Sequence, residues 1–274
     1  MLLDPLFIFG FGMGISGAAI ATVLSQLVSF VILLSMFLRK KSIVKLSFRD
    51  ISRSGKDYIK ILQSGFPTIC RQALGSVATA CLNIQASAFG DGVVAAVTIS
   101  NKIYMLVRNL VLGIGQGFQP VAGYNYGAGK KRRVRESFLY ACKLGTIICT
   151  VVAVILAFRA STVITWFRND DAEVVRIGTQ SLYYACLVMP LMAFSTYVNQ
   201  LYQCLGFSKQ ATFLASCRQG ICFLPIVFLF PNILGITGVA MAQPVADLIT
   251  FIISVPFLLR FFREHLNMNF EGKN

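Results

Sequence analysis

Seven stretches of this chain run for about twenty residues or more with few charges, at approximately 14–38, 62–88, 93–122, 136–158, 174–204, 210–230 and 235–259. No motif limits the fold as strongly. The hydrocarbon core of a bilayer is about 30 Å thick and takes roughly 20 apolar residues in one helix. Inside lipid, a helix also satisfies its own backbone polar groups. The chain is therefore predicted to be an all-α integral membrane protein with seven transmembrane helices. Composition points the same way: 56% of residues are hydrophobic, 13% are charged, and the mean hydropathy is +0.70. A soluble domain carries about 25% charged residues. Too little polar surface remains for water to cover a globule, which excludes a soluble enzyme, a disordered chain and a secreted disulfide scaffold.

The charges test this reading by their positions. The net charge is +14, from 25 Lys and Arg against 11 Asp and Glu. Basic chains often bind nucleic acid, but here the basic residues lie between apolar blocks, where they orient a membrane protein. Eight lie between Arg39 and Lys60 and five between Lys130 and Arg135. Short turns are predicted at Phe89–Gly92, Gly206–Lys209 and Pro231–Gly235. Alternating the connections across the membrane puts 17 Lys and Arg on one side and two, Arg159 and Arg168, on the other. The basic side is predicted to be cytoplasmic, in a multi-pass protein of the plasma (inner) membrane. The eight cysteines all fall in apolar stretches without a C-x-x-C pair, so they are expected to be free and buried. Met1–Pro5 has neither a basic n-region nor a small-residue cleavage site and does not resemble a signal peptide.

The first and last apolar stretches are alike. Residues 14–32 and 235–253 align at an offset of 221 with eight identities in 19 positions, including Gly14, Gly17, Ala21 and Phe30 against Gly235, Gly238, Ala242 and Phe251. Upstream, Leu3, Phe7 and Phe9 match Leu224, Phe228 and Phe230. Self-similarity at a fixed period signals duplication. Five helices lie between the copies, so each unit would have six, and the halves would be parallel repeats about an axis along the membrane normal. The expected organisation is the last helix of an N-terminal lobe at 1–38, a basic cytoplasmic inter-lobe linker at 39–61, a six-helix C-terminal lobe at 62–263 and a cytoplasmic tail at 264–274. Met1 would then be internal to a longer twelve-helix protein whose N-terminal lobe is missing here.

Leu3-Asp4-Pro5-Leu6-Phe7-Ile8-Phe9-Gly10 leading into Gly17-Ala18-Ala19-Ile20-Ala21-Thr22 resembles the junction of the fifth and sixth helices in multidrug and toxic compound extrusion (MATE) transporters. So does Gly117-Phe118-Gln119-Pro120 running into Gly123-Tyr124-Asn125-Tyr126-Gly127-Ala128. Arg218-Gln219 with Pro225, and Gly235 to Asp247, resemble the eleventh and twelfth helices of the MepA-like branch. The resemblance implies a twelve-helix, two-lobe antiporter that expels cationic or amphipathic compounds by alternating access, driven by a proton or sodium gradient and needing no other cofactor. The chain departs from NorM-type relatives, which carry carboxylates in the seventh and tenth helices. Stretches 62–88 and 174–204 contain neither Asp nor Glu, and Gly75 stands about where the acid of the seventh helix would be. The resemblance moves coupling to an acidic residue in a first helix outside this chain.

Ionisable groups within a membrane are costly and mark functional sites. The deep ones are Arg71, Lys102, Arg108, Lys143, Arg176, Arg218 and Asp247, the last being the one deep acid. Arg218 and Asp247 lie at similar depths on neighbouring stretches and are predicted to form an intramembrane ion pair. Its roles range from structural pairing through cation binding to a contact that marks one conformational state. Gln72, Asn83, Asn101, Tyr104, Met105, Tyr197, Asn199 and Gln200, with Arg71 and Arg108, are the candidates for lining a substrate cavity. Polar, soft and aromatic faces accept amphipathic cations, and the same groups also serve as interhelical hydrogen bonds. By the resemblance, the helices around Arg71, Arg108 and Gln200 face the central cavity. Prolines at 67, 120, 190, 225, 244 and 256 fit either broken helices near a site or static kinks.

Gly127-Ala128-Gly129-Lys130-Lys131 lacks the spacing and hydroxyl of a Walker A loop. No acid cluster accompanies Asp91, and the sole histidine, His265, lies at the tail, so neither catalysis nor a metal site is expected. The partners expected are small amphipathic or cationic molecules, the bilayer and the N-terminal lobe, not nucleic acid. Two alternatives remain: a lipid-linked oligosaccharide flippase of the same superfamily, favoured by the arginines, and a seven-helix membrane protein without transport function, which predicts no duplication.

Overall fold

The computed structural model describes residues 6–10, 12–38, 54–167 and 171–266. Most of the basic linker, the loop around Arg168, the Asp4-Pro5 pair and the last part of the tail lie outside the described residues. Among the described residues there are eight α-helices: α1 (Gly14–Leu38), α2 (Gly55–Ser87), α3 (Asp91–Gly127), α4 (Lys131–Phe167), α5 (Ala172–Cys204), α6 (Ser208–Ser216), α7 (Phe223–Leu234) and α8 (Ile236–His265). Two short π-helical segments, Leu6–Gly10 and Cys217–Ile221, complete them. The chain divides into two compact units, Met1–Asp57 and Tyr58–Asn274.

The first unit is built on α1, which is apolar on every face. Ile15, Val23, Leu27, Phe30 and Leu33 are all more than half exposed. A helix hydrophobic all round belongs in lipid or inside a larger bundle. The backbone turns into α1 at Gly14, which has φ +55°. Three residues later the chain leaves no room for a side chain, because a Cβ on Gly17 would press on the carbonyl of Phe7.

The start of α8 in the second unit has the same local geometry. Gly235 has φ +60°, and a Cβ on Gly238 would overlap the carbonyl of Phe230. These are the glycines paired by the 221-residue offset. Each pair combines a left-handed turn, which glycine adopts without strain, with a close approach of the preceding turn.

Within the second unit α5 is central and packs against α3, α4, α6 and α8. Five of its hydroxyl and amide side chains are buried against protein: Ser181, Ser195, Thr196, Asn199 and Gln200 are all under a tenth exposed. The outward surface is apolar instead, with Phe158, Trp166, Leu187 and Ile233 exposed. This distribution suits a bundle solvated by lipid, in which polar residues bind helices to one another.

Two sequence expectations shift. The basic cluster at 130–135 is not a loop: α4 begins at Lys131, and the turn is confined to Ala128–Lys130, with Gly129 at φ +70°. Lys and Arg are good helix formers, and Arg132 pairs with Glu136 one turn on at 2.7 Å. The turn expected at Pro231–Gly235 likewise starts late. Pro231 is accommodated inside α7, the amide of Gly235 still donates to the carbonyl of Pro231 at 3.0 Å, and the break comes at Gly235.

Among the described residues, five segments are long and apolar enough to cross a membrane: Gly14–Ser35, Lys131–Phe167, Ala172–Cys204, Ser208–Leu234 and Ile236–His265. The expected spans at 62–88 and 93–122 correspond to α2 and α3. These have the length, at 33 and 37 residues, but too much polar and charged sequence. Several of the residues responsible line the cavity described next.

Candidate functional site

The polar residues of α2 and α3 recur at helical spacing. On α3, Asn101, Tyr104, Met105 and Arg108 follow the i, i+3, i+4, i+7 pattern that places side chains on one face. On α2, Gln72, Ser76, Thr79 and Asn83 do the same, with Arg71 and Gly75 beside them. Together they line a cavity of about 650 Å³, to which Lys102 of α3, Gln219 of the π segment, Phe223 of α7 and Gln243 of α8 also contribute. Gly75 keeps this wall open: a Cβ there would come within 3.3 Å of Gln219 Oε1.

Through Tyr104 the cavity wall joins a charged network. Arg218 Nε donates to Asp247 Oδ1 at 2.7 Å, and Arg218 Nη2 donates to the Tyr104 hydroxyl at 2.7 Å. That hydroxyl in turn donates to Asp247 Oδ2. Both carboxylate oxygens are thus engaged, in a side chain that is 1% exposed. Arg218 reaches this position from Cys217–Ile221, where the amide of Cys222 bonds the carbonyl of Cys217, five residues back, at 2.9 Å. The π register inserts one extra residue into the helix and turns the following side chains; such bulges recur at functional sites. Gly220 permits the close approach of α2, since a Cβ there would lie 3.1 Å from Leu74 Cδ1.

Behind the network lies a small void of about 30 Å³ lined by Arg71, Arg108, Arg218, Asn199 and Gln219, among others. Arg71, Arg108 and Gln219 border both spaces. The Nε of Arg108 and the Nε2 of Gln243 are buried and make no hydrogen bond among the described residues.

Of the ten side chains expected at a cavity, the structure brings seven to this one: Arg71, Gln72, Asn83, Asn101, Tyr104, Met105 and Arg108. The other three lie on the central helix and meet its neighbours. Asn199 borders the small void and donates to the Ala211 carbonyl at 2.6 Å. The Tyr197 ring rests on Gly145 of α4, and the Gln200 amide on Gly115 of α3; a Cβ on either glycine would overlap them. Arg218 and Asp247 are paired, as their depths required. Lys143 and Arg176 are exposed and take no part in the cavity lining.

Sequence reasoning placed Tyr104 in a cavity but missed that its hydroxyl bridges the ion pair. It also missed Gln219 and Gln243. Tyr104 and Arg108 are one turn apart, so a face count on α3 would have put the tyrosine beside the arginines. Gln219 had no comparable signal, because its direction depends on the π register. All eight cysteines are free, and no group of three His, Cys, Asp or Glu able to hold a metal occurs among the described residues.

The family model described as MatE matches residues 67–229. The multidrug export protein MepA of Staphylococcus saprophyticus is 24% identical over 262 residues, which is 95% of this chain and 57% of that protein. An FAD transporter of Shewanella oneidensis is 25% identical over 256 residues, 91% of this chain and 56% of that protein. Among solved structures, the outward-facing conformation of a multidrug resistance MATE family transporter of the MOP superfamily superposes with a TM-score of 0.86 at 24% identity, covering 97% of this chain and 60% of that chain. A MOP superfamily transporter from Pyrococcus furiosus, described as having a binding pocket of reverse polarity, superposes with a TM-score of 0.85 at 26% identity, covering 98% and 60%. The chain spans little more than half the length of the curated relatives it matches.

Proposed function

The chain belongs to the MatE family, and from that premise we propose that it moves small amphipathic molecules out of the cell as part of an efflux transporter working by alternating access. The observation that carries this reading is the 650 Å³ cavity. Its size is that of a small-molecule site, and its wall of polar and soft side chains contrasts with the apolar exterior of the bundle. Seven membrane crossings follow when α2 and α3 are counted with the five apolar spans, the polar residues on these two facing the cavity. The relatives' names cover multidrug export and FAD transport, and one structural neighbour is described by its pocket polarity. Family membership therefore leaves the charge of the substrate open.

Transport in this reading needs two lobes, which rock about the cavity and expose it to alternate sides. The driving force is a proton or sodium gradient across the plasma membrane. Asp247 is an unsuitable coupling site, because Arg218 and Tyr104 occupy both its oxygens; the coupling carboxylate belongs to the partner lobe. The flippase reading is favoured by one observation, the three arginines around a single void.

The test is drug accumulation in efflux-deficient bacteria. Expression of the 274-residue chain by itself is expected to leave ethidium and flavin accumulation unchanged. Expression with a six-helix N-terminal lobe of the family is expected to lower accumulation of at least one substrate severalfold, and to lose that effect when the cavity is blocked by Gly75→Trp. Unchanged accumulation in the two-lobe protein, or an effect insensitive to the block, would refute the transport reading.

A further inference from the structure

Resting on the transport reading, we infer that this cavity selects amphipathic molecules with a phosphate or carboxylate group, held by Arg71 and Arg108. The first reason is charge. Arg71, Arg108 and Arg218 share one void, and among the described residues Asp247 is the one carboxylate in contact with that cluster, with its oxygens already taken by Arg218 and Tyr104. Two positive charges are left in excess. No Asp or Glu is among the residues lining the large cavity, whereas Lys102 adds a further positive charge to it.

The second reason is an unmet donor. Arg108 Nε is buried without a hydrogen-bond partner among the described residues, and uncompensated charge is costly at membrane depth. A guanidinium offers a planar fork of donors that fits the oxygens of phosphate or carboxylate. An anionic group entering the large cavity meets Arg71 and Arg108, which border both spaces, while the exposed Met105 offers apolar surface to the rest of the molecule. A cationic amphiphile would meet repulsion at the same place. Outward movement of a negative molecule also runs with an inside-negative membrane potential, so this lobe needs no free acid of its own.

The shared chemistry is an oxyanion on an apolar body, whether a dissolved solute or a lipid headgroup. A matched set of fluorescent probes tests it: FMN, which carries a phosphate, riboflavin, which is the same ring system without it, and ethidium, a cation. Binding is measured to the full 274-residue protein in phosphatidylcholine nanodiscs. FMN is expected to bind at least tenfold more tightly than riboflavin and ethidium. Arg71→Gln and Arg108→Gln should each reduce the FMN preference over riboflavin by about tenfold, the loss of one charge-assisted hydrogen bond. Arg71→Lys and Arg108→Lys, which keep the charge, should retain part of the preference and serve where a glutamine variant fails to fold.

Ethidium binding as tightly as FMN, or an FMN preference that survives loss of both arginine charges, overturns the inference and leaves the transport reading standing. Failure of all three probes to bind also overturns the inference, while the transport reading falls only with the two-lobe accumulation assay. Lipid extraction identifies the source of the oxyanion. Co-purified phosphatidylglycerol that disappears in the Arg71→Gln/Arg108→Gln protein supports a lipid headgroup, and equal lipid content alongside FMN preference supports a dissolved solute.

Discussion

Asp247 is worth more as a partner than as an isolated charge. With 1% of its side chain exposed and each oxygen engaged, it compensates one of three arginines. Removing one member of a buried ion pair leaves the other uncompensated, at about 3–5 kcal/mol, whereas replacing both with apolar groups is often near neutral. Asp247→Asn is therefore expected to lower thermal stability in detergent more than the double replacement Arg218→Met/Asp247→Leu does. Equal losses in the two proteins would show that the pair is not what holds Arg218. Tyr104→Phe removes a bridge that touches both partners, and should fall between wild type and Asp247→Asn. The depth of Arg218 and Asp247 in their apolar stretches was enough to pair them from sequence. Tyr104 was not found as the third member because it lies more than a hundred residues away, and only packing brings its hydroxyl to the pair.

At the scale of the helices, the informative positions are glycines that admit a neighbour. Gly145 receives the Tyr197 ring and Gly238 receives the backbone of the preceding turn at Phe230. Gly113 has nothing near its missing Cβ. In an open helix Gly→Ala is stabilising by about 1 kcal/mol, while forcing atoms into a packed interface destabilises by about 1–3 kcal/mol. Gly113→Ala should therefore raise the melting temperature or leave it unchanged, and Gly145→Ala and Gly238→Ala should lower it. A rise in all three would mean that the close approaches are absent. The glycine pair Gly235 and Gly238 was legible from its match to Gly14 and Gly17, because a left-handed turn and a close contact both require glycine. The π segment at Cys217–Ile221 was not legible. Its sequence is ordinary for a helix, and its register follows from what Arg218 and Gln219 must reach across the bundle.

For the molecule as a whole, the distribution of Lys and Arg fixes the side on which each connection lies. The turn at Ala128–Lys130 is expected inside the cell. Helix α3 spans about 55 Å at 1.5 Å per residue, so its other end, at Asp91, is expected outside. In a cysteine-free background, a membrane-impermeant maleimide should label Asp91→Cys in intact cells and Lys130→Cys only after permeabilisation. The opposite pattern would invert the topology, and with it the side from which the arginine cavity loads.

The sequence by itself determined that this chain is helical and embedded in lipid, which connections are basic, and where its two similar helix starts lie. Each of these depends on local composition and spacing: apolar length, charge placement and the glycine needed for a positive φ are properties of short windows. Tertiary structure alone decided that Gln219 and Gln243 join the cavity wall, that Tyr104 closes the ion pair, and that Tyr197 and Gln200 turn away into glycine clefts. Those facts depend on the rotation of each helix against its neighbours. A polar side chain at membrane depth can face a cavity or a partner helix, and side-chain packing and the π register set which of the two it meets.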